Sequence, residues 1–293
     1  VKAKFAFIIV MLLFGSIGLF VKNINLLSSE IALFRGVIGS VFLIGASFLV
    51  KQRFNFKTSK QNLVLLLTSG TALGFNWIFL FEAYQYTTVS NATLSYYFAP
   101  VFVMVLAPFL LKENWTWKKG LSIVVALLGL FLVVQPDSGM GSEALNHPIG
   151  IGYGLLAAGF YASVILMNKF LKGLSDFETT VMQLSIASLV LLPYVVFTET
   201  MNYSGLDTQS LVLVSILGVI HTGVAYLLYF PALQKLDGQT IGIYSYIDPI
   251  SAVLMAAIIL SESMSVLQIV GGICILGSTF LREVTGHKDE VEL

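Results

Sequence analysis

The sequence predicts an all-α membrane protein: ten transmembrane helices, arranged as two inverted-topology five-helix repeats, with both termini on the cytoplasmic side. Three observations carry this prediction. Only 11% of the 293 residues are charged while 57% are hydrophobic, against roughly a quarter charged in an ordinary soluble domain. Ten apolar runs of membrane-spanning length follow one another, and the chain repeats itself at an offset of 149 residues.

The runs cover approximately 5–21, 29–50, 62–82, 88–111, 118–135, 149–168, 177–198, 209–231, 239–260 and 265–281. Each approaches the roughly 20 apolar residues that a helix needs to cross a bilayer. Hydrocarbon offers no water to unpaired backbone groups, so such runs must be helices or a closed barrel. Continuous apolarity excludes the alternating pattern of a barrel. Lys2 and Lys4 precede the first run as in a secretory signal, but no convincing small-residue cleavage site follows. An uncleaved first membrane helix is expected.

Orientation follows from the basic residues, which are retained on the cytoplasmic side in short loops. With the amino terminus inside, the inner segments hold Lys2, Lys4, Lys51, Arg53, Lys57, Lys60, Lys112, Lys118, Lys119, Lys169, Lys172, Lys235, Arg282 and Lys288. The outer loops hold only Lys22. Sixteen basic residues balance sixteen acidic ones, so no bulk charge attracts nucleic acid. The lone cysteine, Cys274, lies in an apolar run and is read as a packing residue.

The repeat is clearest between 74–113 and 223–262. Gly74/Gly223, Phe81/Phe230, Ala83/Ala232, Gln85/Gln234, Tyr97/Tyr246, Pro100/Pro249, Ala107/Ala256 and Glu113/Glu262 are identical. An apolar composition alone gives about half as many matches and does not explain the kept order of Tyr, mid-helix Pro and Glu. Five crossings per half force the second half to enter the membrane upside down. The expected organisation is a first repeat over 1–135, an external linker over 136–148 with Pro136, Gly139 and Gly141, and a second repeat over 149–293.

Phe14-Gly15-Ser16, Arg35 within Ala32-Leu33-Phe34-Arg35-Gly36, Ala99-Pro100, and Lys112-Glu113 followed by Gly120 and Gly129 form an ordered series. The second half answers with Asp248-Pro249, then Ser261-Glu262 followed by Gly271-Gly272 and Gly277. In this series the chain resembles the EamA-type branch of the drug/metabolite transporter superfamily. The resemblance implies a carrier that works without ATP hydrolysis and moves small organic solutes, commonly outward. Gln183 stands near where the second repeat would show its own Arg, so the basic partner is not duplicated.

The expected function is a secondary transporter working by alternating access, an exporter of amino acids or related compounds and proton-linked or facilitative. Import of an organic cation or other nutrient is the alternative within transport. A non-transporting membrane scaffold or a membrane-embedded enzyme is the alternative of another class. Walker, HExxH and GxSxG motifs do not occur in the sequence, so catalysis, a cofactor and a metal are not expected. The expected partners are a small-molecule solute and membrane lipid, in a monomer or homodimer of the bacterial inner membrane.

Polar residues inside membrane helices are costly and nominate the site. Asn76, Trp77, Tyr97, His221, Tyr226, Tyr244 and Asp248 are the expected substrate-binding residues. Arg35, Glu82, Asp248, Pro100 and Pro249 are the expected coupling or gating residues. Arg35 is either a site residue or a snorkelling one, Glu82 a vestibule or interfacial one, and His221 a relay or a helix-to-helix bond. Tyr84, Tyr96, Tyr229 and Tyr246 complete an aromatic cluster. Pro100 and Pro249 remove backbone hydrogen bonds in mid-helix and should act as paired hinges.

Glu113 and Glu262 are expected to cap the helices that follow them. Gly-rich stretches of the first, fifth, sixth and tenth runs are assigned to packing. Burial disfavours a charged carboxylate, so Asp248, whose aligned residue is Ala99, is the nominated proton carrier, with Tyr244 and Ser251 on its face. The competing role for Asp248 is a structural ion pair with Arg35.

Overall fold

A computed structural model describes residues 2–49, 59–112, 114–134, 145–198, 207–236 and 238–291. Lys51, Arg53, Lys57, Glu113 and most of the expected linker lie outside the described residues, as do the side chains of Arg282 and Lys288. Among the described residues every regular element is helical.

In chain order the helices are α1 (Lys2–Lys22), α2 (Ser28–Leu49), α3 (Lys60–Tyr86), α4 (Val89–Tyr96), α5 (Ala99–Leu110), α6 (Trp117–Val134), α7 (His147–Asn168) and α8 (Asp176–Thr198). Then come α9 (Thr208–Ile216), a π-helical stretch (Leu217–Val224), α10 (Ala225–Leu233), α11 (Gly238–Ser245), α12 (Ile247–Ile259) and α13 (Val266–Val291). Among the described residues eight helical segments are long and apolar enough to cross a membrane; Ile243–Ile259 and Val266–Ser278 are shorter apolar helices.

Polar residues close the helix starts. Ser175 and Glu178 form a reciprocal capping box at α8: the Ser175 amide donates to Glu178 Oε2 at 2.9 Å and the Glu178 amide to Ser175 Oγ at 3.2 Å. Ser265 and Gln268 do the same at α13, at 2.8 and 3.2 Å. Each box satisfies two amides that a helix start leaves without partners.

The offset that aligns the halves also aligns their backbones. The fourth run breaks after Tyr96 and the ninth after Ser245, so that Tyr97 and Tyr246, a matched pair of the repeat, stand at the two breaks. Pro100 and Pro249 sit in the first turn of the resumed helices, where a missing amide leaves no intrahelical bond unmade. Lys112 (φ 58°) and Ser261 (φ 56°), again 149 apart, adopt the left-handed conformation after α5 and α12. Packing follows the same correspondence. α1 packs on α12 and α10 as α7 packs on α5 and α3, α2 packs on the π-helical stretch as α8 packs on α3, while α2 with α8 and α6 with α13 are self-paired.

α6 and α13 meet backbone to backbone. A Cβ on Gly129 would lie 2.6 Å from the Gly271 carbonyl oxygen, and one on Gly271 would lie 2.5 Å from the Gly129 oxygen. Gly129→Ala should therefore force the two helices apart, costing about 1–3 kcal/mol as overpacking does. Thermal unfolding of the purified protein should show a lowered Tm. Gly45→Ala, which points into open space, should not lower it.

Candidate functional site

A cavity of about 260 Å³ lies where the two helix breaks face each other. Its walls come from α1, α3, the α4–α5 and α11–α12 junctions, α7 and α10, with Arg35 entering from α2. Tyr97, at the first break, donates its hydroxyl to Oδ2 of Asp248, the second residue of α12. This bond joins the two breaks directly. The carboxylate also sits in the first turn of α12, where the helix dipole favours negative charge.

α12 can stand close to α1 because α1 offers no side chain there. A Cβ on Gly15 would meet Ser251 Oγ at 2.1 Å and the Asp248 carbonyl oxygen at 2.6 Å. Ser251 Oγ already donates to that carbonyl at 2.9 Å. The small residue in Phe14-Gly15-Ser16 thus positions the acid.

Arg35 is 4% exposed. Its Nε donates to Thr222 Oγ1 at 3.0 Å, and its guanidinium carbon lies 4.4 Å from the centre of the Trp77 ring and 5.8 Å from that of Phe81. Stacking on a ring face is favourable for a planar cation. Among the described residues Arg35 has no carboxylate partner, and the expected alternative of a structural pair with Asp248 is not formed. A basic and an acidic side chain line one cavity, each held by neutral groups instead of by the other.

Asn76 is fully buried beside them. Its Nδ2 donates to the Ala157 carbonyl at 2.7 Å, while its Oδ1 has no partner among the described residues. Rings finish the wall in two groups. Phe14, Tyr226 and Tyr229 have centroids 5.7 to 6.4 Å apart, and Tyr96 contacts Tyr97 at 5.9 Å and Tyr161 at 5.6 Å.

Of the residues nominated by sequence, Arg35, Asn76, Trp77, Tyr97, Pro100, Tyr226 and Asp248 line the cavity. The other four lie elsewhere. His221 points at α1, its Nε2 sharing a hydrogen bond with Ser16 Oγ at 2.9 Å and its ring 4.7 Å from Phe20. Tyr244 packs against the cluster of Phe7 and Val10 on α1. Glu82 accepts from Ser28 Oγ where the start of α2 meets the end of α3, and Pro249 is buried next to Asp248 in the first turn of α12. Nor does Glu262 cap the helix after it, since its carboxylate is taken by the start of α4.

Sequence reasoning missed Tyr161 and Thr93. Tyr161 follows Phe160 within the Gly-rich sixth run, and a tyrosine in that setting is itself a signal. The π-helical stretch was also unforeseen. Its wider turn lets Thr222 Oγ1 donate to the Leu217 carbonyl, five residues back at 3.1 Å, while accepting from Arg35.

The model of the EamA-like transporter family matches residues 1–135 and 148–282. This chain belongs to that family. An uncharacterized transporter of Bacillus subtilis, YxxF, is 32% identical to this EamA-family chain over 278 residues, covering 94% of the chain and 87% of that protein. Solute carrier family 35 member G1 of Mus musculus is 26% identical over 221 residues, covering 71% of the chain and 59% of that protein. A solved crystal structure shares the fold with a TM-score of 0.63 at 18% identity, covering 94% of this chain and 96% of its own. The EamA-family chain is thus an integral membrane protein of a transporter family.

Thr222→Val keeps the shape of the side chain and leaves Arg35 Nε without its acceptor. A buried charged donor stripped in this way should cost about 1–3 kcal/mol, read as a lower Tm, and Thr222→Ser should restore it. An unchanged Tm for the valine variant would show that Thr222 does not hold the guanidinium.

Proposed function

We propose that this chain is a secondary transporter that exports amino acids or related zwitterions by alternating access, coupled to protons through Asp248. The observation that carries this reading is the pair of unlike charges on one cavity wall, Arg35 and Asp248, with no ion pair between them. A buried charge without an opposite charge is costly. A solute bearing both a carboxylate and an ammonium offsets both costs at once, the carboxylate at the guanidinium and the ammonium at Asp248 and Asn76 Oδ1. The rings supply apolar walls with hydroxyl handles for the remainder of the solute.

The architecture in this reading is ten spans in two inverted repeats, with both termini cytoplasmic. Family matches in each half, the paired breaks, the paired left-handed residues and the exchanged helix contacts support it. Two similar halves about a pseudo-axis in the membrane plane can present one midplane site to either face in turn. Proton coupling follows from exclusion: when the ammonium leaves, a proton is the smallest cation that can replace it on Asp248.

The second reading, an organic-cation importer, is favoured by the tyrosine rings around Asp248. Arg35, without a carboxylate partner among the described residues, weighs against it. Thermal-shift measurements separate the two. On the zwitterion reading some proteinogenic amino acids raise Tm by mass action, and both their methyl esters and their N-acetyl derivatives fail to. Methyl esters and simple amines that stabilise equally well would favour the cation reading.

Asp248→Asn preserves size and hydrogen bonding while removing the titration. The variant should fold and insert with little change in Tm, yet lose solute movement driven by a pH gradient in proteoliposomes. Unchanged rate and pH dependence would remove Asp248 from the coupling step.

A further inference from the structure

We propose that Glu262 is a latch that holds one end of the cavity shut by gripping the start of α4, and that this grip must release before that end can open. Its role as a gate rests on the carrier reading above. The contact itself does not.

Glu262 follows α12, yet its carboxylate reaches the other half of the chain. The Val89 amide donates to Oε1 at 2.8 Å, the Ser90 amide to Oε2 at 3.1 Å, and Ser90 Oγ to Oε2 at 3.0 Å. These amides belong to the first turn of α4, which has no intrahelical acceptor for them, and the dipole there favours an anion. Hydrogen bonds to an ionised acceptor are about twice as strong as neutral ones. Ser261 turns Glu262 toward α4 by adopting φ 56°, and the Glu262 amide closes on the Ala256 carbonyl at 3.2 Å. Lys22, at the end of α1, donates to the Thr87 carbonyl at 3.0 Å beside the same corner.

α4 has only eight residues and is too short to hold itself in place, so its ends decide where it sits. From Val89 to Ser95 every residue is buried, and Thr93 closes the cavity on that side. Its repeat counterpart α11 has the same length and a different environment. Thr240, Ile241, Tyr244 and Ser245 are half-buried and Ile243 is 37% exposed. One end of the cavity is therefore sealed by a fully packed short helix, and the equivalent helix at the other end is loosely covered. Identical lengths and matched breaks make the two helices interchangeable in role. Among the described residues the two helices differ in packing, and a capping carboxylate fastens the packed one.

Spin labels at Gln85→Cys and Ser263→Cys, both exposed positions, in a Cys274→Ser background report the separation of the two corners in lipid nanodiscs. The parent should give one predominant short distance. Glu262→Gln replaces the anion by a neutral amide that also points a donor at two amides. The ratio of long to short distances should then rise by about tenfold, the factor expected when charged hydrogen bonds become neutral ones. An unchanged distribution in folded Glu262→Gln overturns the latch. If that variant does not fold, Ser90→Ala, which removes one donor of three, is measured in its place with the same two outcomes. Because the distances are read without any solute, a failed latch is distinguishable from a failed carrier assignment.

Discussion

A backbone inside hydrocarbon has nowhere to send an unmade hydrogen bond, and the placement of everything else in this protein follows from that constraint. Two helices nevertheless break, at Tyr97 and Tyr246. The breaks are kept tight. The amides of Tyr97 and Phe98 reach Thr93 and Ser95 at 2.9 and 3.1 Å, and Val101 and Phe102 return to the Phe98 carbonyl at 2.9 and 3.2 Å. Pro100 and Pro249 have no amide to satisfy. Such irregularity survives at membrane depth only where protein or a polar cavity covers it. Both breaks therefore face inward, and the cavity forms between them.

The same constraint governs side chains. A guanidinium and a carboxylate in a low-dielectric interior each lose several kcal/mol of hydration. Arg35 recovers part from Thr222 and the Trp77 face, and Asp248 recovers part from Tyr97 and the first turn of α12. If each had found the other, the pair would be self-sufficient and the cavity electrostatically inert. Held apart by neutral partners, they leave a field across about 260 Å³ that a dipolar occupant can fill.

Helical class and membrane character were legible because hydropathy reports directly on the solvent around a helix, and prolines at matched depth marked both breaks. The site was legible in depth but less so in azimuth. An almost uniformly apolar helix carries little periodicity to tell which face meets a neighbour. Tyr226 and His221 lie close together in one run, yet Tyr226 lines the cavity and His221 faces Ser16 on α1. Tyr244, expected beside Asp248, turns instead to α1. Glu262 failed for another reason. Sequence suggests the nearest helix start as the partner of a carboxylate, and the partner it found is 173 residues away.

The self-paired helices have a further consequence. If the halves are related by a two-fold axis, a pair that maps onto itself must straddle that axis, so the axis threads the α6–α13 contact as well as the α2–α8 contact. If the two halves exchange conformations, as the alternating-access reading proposes, a contact that maps onto itself is kept in both states, so α6 and α13 stay paired while the broken helices move. Their outward apolar faces, such as Leu128, Phe131 and Ile273, can then bear on lipid without drag on the moving parts.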